Sequence, residues 1–256
     1  MDQVQFSFSY LQQYDLLEHG QFGLGFSTRS GWGMGLHFRD SGDDAMRETV
    51  VQMALARRFG RFSMGFSGAL LLSRFGRNQI NPDALLVFDP IEIAQGMANQ
   101  INGDATGVTG GIGLRYAAGR GAIGINVRNL ASLIQWNSGT ASGSVTSSYN
   151  EGLPLLVVVG GQIPAGRQGL ILLDYVPALN DELDERVRVG LQVTLAEMLA
   201  LRVGTERSLN GQSDERLTLG FGLRLPAVAG VTLAADYAYA DSFLGTSQQV
   251  ALRVAF

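Results

Sequence analysis

Cysteine and lysine are both missing from this sequence, and histidine occurs only as His19 and His37. Without cysteine there is no disulfide scaffold and no thiolate metal site. The two histidines are not spaced as a metal pair. All 19 basic residues are arginine, against 23 acidic residues, for a net charge of −4. That balance gives no footprint for a nucleic acid partner. Charged residues make up only 16% of the chain, too few for the lysine- and glutamate-rich surface of an ordinary soluble domain. Long apolar runs are absent as well. The longest, such as Ala69–Leu72 and Leu155–Val159, fall far short of the about 20 residues that a membrane helix needs. The opening Met1-Asp2-Gln3-Val4 carries neither a basic stretch nor an apolar core, so it does not read as a signal peptide. If the protein is exported, the expectation is that its signal has been removed.

The hydrophobic content of 46% excludes a disordered chain. The 34 glycines follow no three-residue period, which excludes collagen. The period that does run through the chain is two. Leu217, Leu219, Phe221, Leu223 and Leu225 alternate with Arg216, Thr218, Gly220, Gly222 and Arg224. Val187, Val189, Leu191 and Val193 alternate with Arg186, Arg188, Gly190 and Gln192. Trp32, Met34, Leu36 and Phe38 alternate with Gly33, Gly35, His37 and Arg39. Such alternation means strands with one apolar face and one polar or small face.

The pattern predicts 14 strands, at 3–10, 21–28, 31–39, 47–58, 61–74, 107–116, 121–129, 153–160, 168–176, 185–194, 198–206, 215–225, 230–239 and 248–256. The gaps between them alternate long and short, with the longest at 75–106 and 130–152. An even count, short turns on one side and long loops on the other predict an all-β, transmembrane, antiparallel up-and-down barrel filling residues 1–256 as one domain. The expected location is the bacterial outer membrane, with its lipid as the immediate partner. The alternative is a soluble all-β sandwich or barrel. Its outer face would be rich in charge, whereas here the non-apolar face is mostly Gly, Ala, Ser and Thr with scattered Arg.

Two further features agree. The last strand places Val250, Leu252, Val254 and Phe256 on one apolar face and ends in an aromatic residue. Such an ending resembles the signal by which outer-membrane barrels are recognised for assembly. Pro82, Pro90, Pro177 and Pro226 fall in gaps, Pro154 starts a strand and Pro164 sits in a short turn, which suits a residue that cannot donate to a ladder.

Several phrases resemble the PorV/PorQ branch of outer-membrane barrels, related in form to FadL-type transporters. They are the hairpin 51–66, the strand end Gly124-Ile125-Asn126-Val127-Arg128-Asn129-Leu130, and the closing order from Arg186 to Phe256 with Asp236-Tyr237-Ala238-Tyr239-Ala240 and Leu244-Gly245. The resemblance implies a protein-binding scaffold in secretion or surface assembly, with secretion or surface proteins as partners. Its alternative is a FadL-like conduit for small hydrophobic molecules, or a porin. One departure is that the family's Asn-Pro-Ala motif before the first strand is missing. The only Asn-Pro pair is Asn81-Pro82, so no N-terminal plug is expected.

The candidate functional residues are the charges on polar strand faces: Arg115, Arg128, Asp174, Arg186, Arg188, Arg202, Glu206, Arg216, Arg224, Asp236 and Arg253. They fit a structural network of Arg–carboxylate pairs inside the lumen, since an Arg fork pairs two carboxylate oxygens at once. The competing reading is a charged constriction that selects anions. In the gap 75–106, Leu85 and Phe88 lie in an apolar run. Ile91, Ala94, Met97, Ala98 and Ile101 have the spacing of a short amphipathic helix, a candidate for contact with a ligand or partner. The Gly/Ser/Thr-rich stretch 137–148 reads as a mobile outer loop.

Nothing points to an enzyme or to a cofactor. The nearest approach to a nucleophile elbow, Gly65-Phe66-Ser67-Gly68-Ala69, lacks the second glycine and lies within a strand. Gly33-x-Gly35 and Gly220-x-Gly222 are strand glycines with no helix after them.

Overall fold

The structure, a computed structural model, describes residues 3–14, 16–43, 45–76, 96–180, 183–210 and 215–256. Its strands are β1 (Gln3–Gln13), β2 (Leu17–Ser27), β3 (Trp32–Gly42), β4 (Met46–Phe59), β5 (Phe62–Phe75), β6 (Ile101–Ala118), β7 (Gly121–Thr140), β8 (Thr146–Glu151), β9 (Leu156–Ala165), β10 (Gly169–Val176), β11 (Arg186–Leu195), β12 (Leu199–Ser208), β13 (Glu215–Arg224), β14 (Thr232–Ser242) and β15 (Gly245–Ala255). Each pairs antiparallel with its chain neighbours from β1 to β7 and from β9 to β15. β7 pairs with β9, and β15 pairs with β1. The result is the closed 14-stranded barrel that the alternation predicts. The chain ends are knitted into the closing seam by Phe256 N–H to the Val4 carbonyl at 2.9 Å. The Phe6 and Phe256 rings meet edge to face at 6.2 Å.

The barrel has no central apolar core. Among the described residues only Ala105, Ile134 and Val176 are buried hydrophobics, and no side chain is fully buried. The large apolar residues lie outside instead: Phe8 is 52% exposed, Met53 66% and Leu219 50%. Closure explains this. It satisfies the backbone groups of every strand without a packed interior, and it leaves the apolar face of each strand on the convex side. A soluble sandwich needs the opposite arrangement, so that alternative fails.

The end that carries both termini has only short connections, as expected, but the other end is mixed: the strands there run on and leave connections as short as 14–16, 43–45 and Phe243-Leu244 beside the long loops. The β4–β5 turn is only Gly60-Arg61, with Gly60 at φ +61°. The β11–β12 turn places two non-glycine residues, Ala196 and Glu197, in the left-handed region at φ +49° and +60°.

The long-loop end departs from the sequence reading. β6 starts at Ile101 and β7 runs on to Thr140, so both overrun the expected 107–116 and 121–129. The stretch 137–148, read as a mobile loop, is the end of β7, a turn and the start of the fifteenth strand, β8. Its polar residues close that turn. Val145 N–H donates to Thr140 Oγ1 at 3.2 Å, and Thr140 lies within hydrogen-bond reach of the Ser142 and Ser144 hydroxyls. Of the helix read through Ile91, Ala94, Met97, Ala98 and Ile101, only Ile101 is corrected. Residues 96–98 are helical, with Met97 exposed, while Ile101 opens β6 opposite Thr140. Leu85, Phe88, Ile91 and Ala94 lie outside the described residues.

Candidate functional site in the barrel lumen

The lumen is the face left when the apolar residues turn outward. A cavity of about 620 Å³ touches β4, β5, β6, β7, β9 and β10 at once, which is possible only on the concave side. Its polar lining comes from Gln52, Ser63, Ser67, Arg115, Asn126, Gln162 and Asp174. Between them lie Ala54, Ala56, Gly65, Gly113, Gly124 and Gly160. The small residues keep this half of the lumen open. Gly160, for instance, leaves room for Asp174, whose Oδ1 would be 2.2 Å from a Cβ there.

The opposite wall, β11 to β15, carries linked charges. Glu206 on β12 accepts from Arg186 at 3.3 Å and from Arg188, both on β11. Arg186 also reaches Asp184 at 3.1 Å. Nearer the short-turn end, Asp236 on β14 binds Arg202 of β12 at 2.6 Å through one oxygen and Arg253 of β15 at 2.7 Å through the other. Arg202 Nε donates to Gln192 at 2.9 Å. A cavity of about 370 Å³ lies beside this cluster, lined by Thr218, Gly220 and Ala251 among others. Arg216 stands in register with Glu206 and donates to the Tyr14 hydroxyl in the β1–β2 connection at 2.8 Å. Burial raises the Tyr14 pKa, but hydrogen bonds with Gln13 and Ser242 and the Arg216 guanidinium outweigh it, so the phenol titrates below its ordinary value.

Of the eleven charges singled out from the sequence, Arg186, Arg188, Glu206, Arg202, Asp236, Arg253 and Arg216 therefore fall in connected contacts. Asp174 lies in register with Arg188 but makes no ion pair among the described residues. Arg115 lines the larger cavity, and Arg128 Nε donates to Asn126 at 3.1 Å. Arg224 lines a separate cavity of about 540 Å³ at the short-turn mouth. Register adds Arg39, Glu48 and Arg58 to the inward face. The alternation of β3 already put Arg39 opposite Phe38, so that signal was present. Glu48 and Arg58 sit at the ends of β4, where alternation is weakest.

The wall is interrupted at one place. β7 carries two extra residues against β6 between Val127 and Ala131, and the centre of this bulge, Asn129, has φ +56°. Below it β7 pairs with β9; above it β7 pairs with β8. The connecting segment 152–155 contains Pro154, which has no N–H. Side chains replace the ladder there. Asn129 accepts from Thr109 at 3.0 Å and donates to the Pro154 carbonyl at 2.9 Å, while Leu153 N–H donates to Ser132 Oγ at 2.8 Å. Above this bulge an aromatic tier faces inward: Phe75, Trp136 and Tyr149, with Trp136 and Tyr149 stacked at 6.2 Å and 11°. The buried Trp136 Nε1 has no hydrogen-bond partner. Among the described residues no group of His, Cys, Asp and Glu is arranged to hold a metal ion.

No family model matches the chain, and no curated protein matches it in sequence. Solved structures do. A CymD monoaromatic hydrocarbon channel superposes with TM-score 0.61 at 14% identity, covering 99% of this chain and 87% of that one. A FadL homologue of Pseudomonas aeruginosa gives 0.60 at 9% identity, covering 100% and 89%. The Pseudomonas putida toluene transporter TodX gives 0.58 at 10% identity, covering 99% and 88%. The fold is the closed antiparallel barrel of these solved structures. On this frame the lumen has one open wall paved with small residues and one wall crossed by ion pairs.

Proposed function

We propose that the protein is a channel for small hydrophobic molecules in a bacterial outer membrane. The observation that carries this reading is the open lumenal cavity, whose lining includes five glycines, three alanines and two serines, inside a barrel whose exterior is apolar all round. The fold it shares with a monoaromatic hydrocarbon channel and a toluene transporter supports it. The inward aromatic tier at the long-loop mouth offers a surface to an apolar solute. At the β7 bulge the backbone ladder gives way to side-chain bonds, a weaker stretch of wall facing the hydrocarbon. The linked charges on β11 to β15 act in this reading as braces of the barrel rather than as an ion filter, because each Arg of the two clusters is tied to a carboxylate. Proteoliposomes should take up a labelled monoaromatic compound several times faster than protein-free vesicles. Uptake no faster than the control, together with steady ion conductance in planar bilayers, would indicate a porin instead.

One observation favours a second reading, the scaffold that the PorV/PorQ resemblance implies. Among the described residues β8 pairs with β7 on one side only, and all six of its residues are exposed. A free edge of this kind can accept a strand from another protein. Recovery of a stoichiometric protein with the barrel from its native membrane in mild detergent, abolished by deleting 141–151, would support it.

A further inference from the structure

An apolar groove of about 510 Å³ runs over the outward face of β2 to β5. Leu24, Phe26, Met34, Leu55 and Phe66 form its sides, and Gly68 its floor. The groove exists because glycine takes an outward position between Phe66 and Leu70, where a large side chain would complete the surface. A Cβ at Gly68 would meet nothing closer than the Thr109 carbonyl at 4.0 Å, so the space above it is open.

Register fixes what lies at the end of this groove. Leu36, Met53 and Gly68 form one row across β3, β4 and β5; Met34, Leu55 and Phe66 form the next towards the short-turn end; Trp32, Arg57 and Met64 form the last. The Arg57 guanidinium lies 4.8 Å from the centre of the Trp32 ring and 5.0 Å from that of Phe59. It makes no ion pair among the described residues. A guanidinium held between two rings at the edge of an apolar surface is placed where a bilayer changes from hydrocarbon to headgroups. The anion available at that depth is a lipid phosphate, which an Arg fork binds through two oxygens.

We propose that the groove and Arg57 form one site for an anionic phospholipid of the leaflet on the short-turn side. Its phosphate rests on Arg57 and one acyl chain lies over Gly68. Charge complementarity selects this occupant over a second copy of the chain, which would bring its own Arg57 to the same edge. The site depends on the barrel standing in a bilayer and not on what passes through the lumen.

The test is native mass spectrometry of the full chain released from mild detergent, with added phosphatidylglycerol or phosphatidylcholine of identical acyl chains. The wild type should retain one phosphatidylglycerol at roughly fivefold lower lipid concentration than phosphatidylcholine. Arg57→Gln should abolish that preference. Gly68→Leu, which fills the groove, should weaken retention of both lipids, and the milder Gly68→Ala should do so in part. Heat-modifiable migration on gels confirms that each variant is folded. Equal retention of the two lipids by the wild type, or wild-type retention by folded Arg57→Gln and Gly68→Ala, would overturn the proposal. So would a dimer that Gly68→Leu dissociates.

Discussion

Arg202 and Asp236 meet at 2.6 Å although a whole strand, β13, lies between them. The contact passes over Gly222, which pairs in register with Asp236. A Cβ at position 222 would lie 2.3 Å from Asp236 Oδ1 and 3.1 Å from Arg202 Nη1. The glycine is therefore what lets β12 and β14 be tied together inside the barrel.

Gly222→Ala should force the carboxylate aside and lose the bond. The pair sits in a wet lumen, so the expected cost is about 1 kcal/mol rather than the larger penalty of a dry ion pair. Urea unfolding of the refolded barrel in detergent measures it. An unchanged midpoint would mean the ion pair contributes nothing.

Glu206→Gln removes the partner shared by Arg186 and Arg188, leaving, among the described residues, Arg188 without an ion pair and Arg186 with Asp184 alone. If the linked charges are braces, stability should fall by roughly 1 kcal/mol. The loss of one negative charge should also shift the reversal potential in bilayers towards anion preference. Replacing Arg216 and Arg224 together by Ala separates the two roles. Intact folding with altered selectivity supports an ion filter, and misassembly supports the network.

Asn129→Ala removes both bonds that bridge β7 to Thr109 and to the Pro154 carbonyl, and it puts a Cβ residue without a compensating side chain at φ +56°. The expected loss is about 2 kcal/mol. Hydrogen exchange should accelerate at 152–155 before it does elsewhere in the barrel. Uniform exchange throughout would show that the bulge is not a weak point of the wall.

Ala196→Gly relieves a left-handed residue in the β11–β12 turn and should stabilise the barrel by about 1 kcal/mol. A lower unfolding midpoint in this variant would contradict the strain assigned to that turn.

Deleting Phe256 removes the ring that packs on Phe6 and the backbone bonds to Val4 at the closing seam. The yield of folded protein in membranes should drop several-fold, while refolding in detergent should be affected far less. Equal losses in both would make the residue a structural one only.

Much of this fold is legible in the sequence because a strand has a period of two and each strand here faces two different solvents. The residues on either side of Leu219 or Val189 state which way they point, and most of the 14 runs do the same, the unbroken apolar run Leu155–Val159 being an exception. Legibility fails where that contrast fails. β8 reads Thr-Ser-Ser-Tyr-Asn-Glu and has no apolar face, so it looks like a loop until Tyr149 is seen stacked on Trp136. Ile101 matches a helical spacing that is overruled by pairing with β7, a partner distant in the chain. The bulge at Asn129 leaves no periodic trace, because two extra residues preserve the inside–outside alternation.

The charged residues divide in the same way. Alternation alone assigns Arg202, Asp236, Glu206 and Arg188 to one face. It cannot say that Asp236 takes Arg202 and Arg253 while Asp174, equally inward, takes no ion pair among the described residues. Those choices depend on stagger between strands and on which neighbour is a glycine, and both are settled only when the sheet closes. The groove at Gly68 is of the same kind: a missing side chain is visible in the sequence, but only the register brings it into line with Arg57 and Trp32. The sequence by itself determined which face of each strand meets hydrocarbon, since that depends on local periodicity. The tertiary structure decided which residues face one another, since closure alone sets the register between strands far apart in the chain.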